Sequence, residues 1–196
     1  MSEAKRQITA ADILPLAEYQ RIRAEERRRI SEIKKHRRVE VGPFATFYFE
    51  SWDTVRQQIQ EMLHIEKGGA EQLEDELSAF GPLVPRGGEL VATVMFEVDD
   101  PVRRKAALSR IGGIEHRTFL SIGGEQTRGM PDAERENTSE DGKASAVQFF
   151  HFALSPAQCA AFRSTGTQIL IGFDHPNYGH IAVMPPAVQA ALAEDL

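Results

Sequence analysis

A single cysteine, Cys159, occurs in 196 residues. No disulfide can close within the chain, and no cysteine-based zinc site can be assembled from it. Apolar runs are short, and none approaches the roughly 20 residues that cross a bilayer. Residues 1–7 are polar and lack the apolar core of a secretory signal. These absences point to a soluble protein of a reducing compartment, with the cytoplasm as the expected location. Also missing are the glycine spacing of a phosphate loop, a second Glu-x-x-His pair and any pairing of an activated nucleophile with a base. No catalytic residue is therefore assigned.

What is present is an ordinary globular composition, 41% hydrophobic and 27% charged, sufficient for one domain with a real core. Charge is unevenly spread. Residues 21–38 hold nine lysines and arginines against three glutamates, a local +6 that leaves −12 on the remainder of a chain whose net charge is −6. This polarity predicts a basic N-terminal helical arm over residues 1–38 and a single domain over 39–196. Within the arm, Thr9 to Asp12 resembles a capping box, and Leu16, Tyr19, Ile22, Ile30 and Ile33 follow at helical spacing. The apolar stripe is narrow and Glu26 interrupts it, so the helix is expected to dock along one edge. The cations from Arg21 to Arg38 suit an acidic protein partner. Nucleic acid is the weaker alternative, because no aromatic side chain interleaves with them and the body is acidic.

Alternating apolar positions predict strands near residues 39–50 (broken at Gly42-Pro43), 90–98, 116–122, 146–154, 169–173 and 179–184. Between them, Val55, Ile59, Met62 and Leu63 mark a helix begun by Ser51 or Asp53, and Leu73, Leu77 and Phe80 mark an acidic second one. Asp100-Pro101, Ser155-Pro156 and Pro185-Pro186 open three more. Two of the strand connections contain no helix. The expected fold class is α+β, a mixed, largely antiparallel sheet of about six strands with helices packed on it. Residues 123–143 are polar with few apolar anchors, and a mobile loop is expected there.

The densest polar chemistry lies in Gly172-Phe173-Asp174-His175-Pro176-Asn177-Tyr178-Gly179-His180. Asp174, His175, Tyr178 and His180 are the candidate ligand-binding residues. If the flanking strands form a hairpin, His175 and His180 could converge, with His151 or His116 as a third zinc or iron ligand, Asp174 orienting an imidazole and Tyr178 donating a proton. The competing reading is a satisfied turn, since aspartate accepts backbone N–H bonds and Pro-Asn favours turning. Glu61-x-x-His64 has the spacing of di-iron carboxylate helices. Projected at about 100° per residue, however, both side chains point away from the stripe of Val55, Ile59 and Met62.

The segments Asp12-Ile13-Leu14-Pro15-Leu16-Ala17-Glu18-Tyr19, Phe49-Glu50, Gln58-Ile59-Gln60-Glu61-Met62-Leu63 and Asp174-His175-Pro176-Asn177-Tyr178 together resemble a bacterial family catalogued as domain of unknown function 3501. The likeness spans nearly the whole chain. It departs at His64, where the family pattern tends to have arginine. Members are often encoded beside rubrerythrin-like and iron–sulfur oxidoreductase genes, so the resemblance implies a role near redox, peroxide or iron metabolism. It supplies no catalytic residues. The expected function is a non-enzymatic accessory or ligand-binding protein, with no cofactor required and a homo-oligomer compatible with the sequence. The alternatives are a metal- or His-dependent enzyme built on the 174–180 loop, with residues 123–143 as its lid, and a nucleic-acid-binding regulator acting through the basic helix.

Overall fold

The computed structural model describes residues 5–196. Six α-helices and nine strands occur among them, and every strand pairing is antiparallel. The fold is α+β, as the pattern of alternating strands and capped helices predicts. The strands divide into two sheets where a single one is expected from the sequence. The larger has the order β1 (Arg38–Val41), β2 (Ala45–Phe49), β3 (Glu89–Phe96), β7 (Val147–Ala153), β6 (Met130–Pro131). The smaller has the order β5 (Glu125–Arg128), β4 (Thr118–Ile122), β8 (Ile169–His175), β9 (Tyr178–Val183).

The two faces of the larger sheet have different fates. One packs on the smaller sheet and buries Phe47, Phe49, Val94, Phe96, Phe150 and Phe152 with Leu120, Ile171 and Phe173. This is the main core, and aromatic contacts such as Phe47–Phe173 (5.2 Å) cross it. The opposite face receives α2 (Trp52–Glu66) and α3 (Gly69–Phe80) over a smaller core of Val55, Ile59, Leu83, Val91 and Phe149. Burial on both faces explains why β2 and β3 carry bulk at successive positions. Ser51 caps α2 by accepting the Thr54 N–H, and Asp100 caps α4 (Pro101–Arg110) by accepting that of Arg103. Two short helices, α5 (Pro156–Arg163) and α6 (Pro186–Leu192), complete the fold.

Helix α1 (Leu16–Lys35) buries only Tyr19 and Ile30, so polar ties carry much of its docking. The surface of α2 holding Glu61, which points away from the sheet, is covered by α1. Arg23 forks onto the Glu61 carboxylate through Nε and Nη2, both at 2.9 Å. The Tyr19 hydroxyl donates to the same carboxylate and accepts from the Gln57 side chain at 2.7 Å. Arg29–Asp53 (2.8 Å) and Arg56–Glu26 (3.2 Å) extend the seam.

Two stretches differ in secondary structure from the sequence expectation. Residues 123–143 contain β5 and β6 where a mobile loop is expected. Their apolar signal is weak because β5 is a solvent-facing edge strand and β6 is only two residues long. His116, expected on a strand, lies in the 3-10 turn Ile114–His116 that precedes β4.

The seam between α1 and α2 depends on pH. Hydrogen bonding from Arg23 outweighs burial and holds the Glu61 carboxyl below its ordinary range. Burial and the Glu61 contact push the Tyr19 phenol up to about 12. A depressed carboxyl stabilises the fold above its unfolded-state pKa and loses that contribution as pH falls through the folded value. Glu61→Gln should therefore cost about 1–2 kcal/mol at pH 7 in urea unfolding, the deficit shrinking as pH drops below about 4.

Candidate functional site

The 174–180 segment forms the expected hairpin, with β8 running to His175, β9 starting at Tyr178, and Pro176-Asn177 as the turn. Its side chains, however, are divided between two faces. Alternation along a strand puts Asp174 on one side and His175 on the other, so Asp174 cannot orient that imidazole. Asp174 instead pairs with Arg128 of β5 at 2.6 Å, a contact that holds its carboxyl below the ordinary range. The buried His175 ring is bonded at both nitrogens: Nε2–H donates to the Gly112 carbonyl (3.2 Å), and Nδ1 accepts the Asn177 N–H (3.1 Å). The Tyr178 hydroxyl donates to the Val41 carbonyl at 2.7 Å and accepts the N–H groups of Phe44 and Ala45. Burial pushes its phenol up. The His180 ring packs edge-on against Tyr178, 4.5 Å between centroids. It lies over Gly42, where a Cβ would stand 2.6 Å from the ring and where φ is +70°. Tyr178 and His180 thus stitch β9 to the β1–β2 turn.

The described structure does not gather three of the four candidate imidazoles around one point. His151 lies on β7 of the other sheet and bonds Glu89 at 3.0 Å, while the His116 side chain is exposed. His175, with both nitrogens engaged, has no lone pair to offer. Among the described residues no group of three or more His, Cys, Asp or Glu is placed to hold a metal. Nor does Glu61-x-x-His64 make a di-iron half-site, because Arg23 and Tyr19 occupy its carboxylate.

A different site is visible in three dimensions. On the helix-facing side of the larger sheet, α2 and α3 cover one end and leave the other open. Tyr48, Thr93 and Phe149 are cross-strand neighbours there, as are Met95 and Val147. Together with Phe80 of α3 and Val55 of α2 they line a cleft of about 350 Å³. Polar groups converge on it. Glu50, just beyond β2, accepts the hydroxyls of Thr93 (2.6 Å) and Thr54. Arg135, from the 123–143 stretch, lies 4.2 Å over Phe149 and 5.5 Å over Phe80, donates to the Ala79 carbonyl (2.7 Å) and pairs with Asp132. Met95 and Val147 remain 37% and 39% exposed at the rim, which is unusual for large apolar side chains on inner strands.

Motif reasoning missed this cleft because its walls come from positions far apart in the chain, such as Tyr48, Thr93 and Phe149. Two signals were available. Thr93 is a polar residue on the clearest apolar strand, and Phe49-Glu50 places a carboxylate directly before the capping Ser51.

An α+β protein of two packed antiparallel sheets, with a ligand-sized cleft under its helical layer, is the class this architecture defines. The chain belongs to the family described as "Protein of unknown function (DUF3501)", which it matches over residues 7–196. It is similar to a protein of unknown function from Burkholderia pseudomallei K96243 whose crystal structure is known, with 39% identity and a TM-score of 0.89 over 97% of this chain and 99% of that one. No curated protein matches. No helix among the described residues is long and apolar enough to cross a membrane.

The hydrogen bonds of His175 and Tyr178 in the hairpin run to backbone groups of the fold. Tyr178→Phe strips the partner from the Val41 carbonyl and from two N–H groups, and should lower stability by about 1–3 kcal/mol in denaturant titration. Binding of an apolar dye to the sheet-face cleft should be unaffected.

Proposed function

We propose that this protein is a non-enzymatic accessory protein that binds a small molecule in the cleft between the helical layer and the larger sheet. The observation that carries this is the cleft itself. Its volume of about 350 Å³ lies within the range of small-molecule sites, its walls are mostly apolar, and a few polar groups are held in fixed positions. Glu50 is oriented by two hydroxyls and Arg135 by an ion pair and a carbonyl, so these groups are set before a ligand arrives. The redox, peroxide or iron setting implied by the family resemblance belongs to the same proposal, as does the cytoplasm as its compartment.

A second reading, an acidic protein partner on α1, is favoured by the charges that the fold leaves over. Arg23, Arg29, Lys35 and Arg37 have acidic partners. Among the described residues Arg21 and Arg28 have no carboxylate within 4.0 Å, and both are exposed.

Small molecules released from natively purified protein and identified by mass spectrometry test the first reading directly. In parallel, the neutral dye N-phenyl-1-naphthylamine should bind with increased fluorescence. Val147→Trp at the cleft rim should weaken that binding at least about tenfold without changing the melting temperature by more than a few degrees. Dye binding that is indifferent to both Val147→Trp and Met95→Trp would refute a cleft site.

A further inference from the structure

The apolar cleft continues into a second, wider trough. Lys34, Tyr48 and Gln58 line both, so the two are contiguous. The trough has a volume of about 500 Å³ and adds Arg27, Lys35, Arg38 and Glu61. Around the combined cavity stand six cations, Arg27, Lys34, Lys35, Arg37, Arg38 and Arg135, against the two carboxylates Glu50 and Glu61. Much of this charge is already matched. Lys35 pairs with Glu32, Arg37 with Asp195, Arg135 with Asp132, and Glu61 with Arg23. Glu50, at the cleft end, accepts two threonine hydroxyls and has no cationic partner within 4.0 Å among the described residues. Three cations are left over at the trough end: Arg27, Lys34 and Arg38 are exposed and, among the described residues, have no carboxylate within 4.0 Å.

This distribution is directional. Aromatic and aliphatic walls lie at one end and unmatched positive charge at the other, with Lys34 at the junction. The remainder of the chain outside residues 21–38 carries −12, so an anion is repelled by most of this acidic body and attracted at the positive mouth of the trough. Resting on the cleft reading above, we infer that the ligand is an apolar small molecule with one anionic head group, its body in the sheet-face cleft and its head against Lys34, Arg38 and Arg27. A neutral apolar molecule would leave these cations unused. A compact inorganic anion would leave the aromatic walls unfilled. Neither matches the joined shape.

Two dyes that differ by one group test this. N-phenyl-1-naphthylamine and 8-anilinonaphthalene-1-sulfonate share a ring system, and the second adds a sulfonate that stands in for a carboxylate or phosphate. The wild-type protein should bind the sulfonate dye about tenfold more tightly than the neutral one at low salt, and the preference should fall as ionic strength rises. The double variant Arg27→Gln/Arg38→Gln, at positions that line only the trough, should lose most of that preference, its affinity for the sulfonate dye falling towards that for the neutral one. Both positions are exposed, so folding should persist, and matching thermal melts establish that it does. Equal affinities for the two dyes in the wild type, or a preference that survives in the double variant, would overturn the anionic-head inference. If Val147→Trp weakens the neutral dye in that case, the cleft reading stands and only the inference falls. If Val147→Trp changes neither dye, the cleft reading fails and the inference goes with it.

Discussion

Arg37 is the point at which three parts of the chain are made mutually dependent. Its guanidinium is buried between α1 and β1. It donates to the carbonyls of Phe49 and Glu50 at 3.0 and 2.7 Å, and it pairs with the carboxylate of Asp195 beyond α6. A buried guanidinium is tolerated only when its N–H groups are bonded, and here the bonds reach residues separated by more than 150 positions. The corner between β2 and α2 is held as a result. That corner carries Glu50 and Thr54 into the cleft, so the wall of the proposed site is set from the far end of the chain.

The cleft follows from an incomplete layer. The larger sheet has two apolar faces, and one of them is buried in the core shared with the smaller sheet and with Leu108, Phe162 and Leu192 of α4, α5 and α6. On the other, α2 and α3 help bury Val91 and Phe149 but leave Met95 and Val147 part-exposed. A sheet face without a helix over it ordinarily becomes polar or acquires a partner. Here it stays apolar over a small area and is flanked by charged groups that are themselves anchored. Arg135 closes one side by laying its guanidinium over two rings, which lets a polar stretch of chain contribute to an apolar site.

Local pattern and long-range geometry divide what could be read from the chain. The β8–β9 hairpin, the capped start of α2 and strand β3 were legible because each rests on alternation, capping or turn chemistry within about ten residues. β5 escaped notice because an exposed edge strand such as Glu125–Arg128 has no apolar face to announce it. The concentration of imidazole and phenol at 174–180 leaves both a satisfied turn and a ligand site open, with turn chemistry the simpler account. Only the folded structure shows that the bonds of His175 and Tyr178 go to backbone groups of Gly112, Asn177, Val41, Phe44 and Ala45. The cleft escaped for a related reason: Tyr48, Thr93 and Phe149 become neighbours only through strand pairing. Glu61 was read as facing away from the sheet, which is correct, but the surface it faces is α1.

The hairpin also bears on how relatives of this chain should be compared. Of its most recognisable residues, Tyr178 clamps β9 to the β1–β2 turn, while Asp174 and His175 are bonded to Arg128 and Gly112. Two proteins could share that signature in full and still receive unrelated molecules, because nothing in the clamp touches the sheet face under the helices. Identity in specificity would have to be sought at Lys34, Arg38, Thr93, Met95 and Val147, scattered positions that no short signature contains.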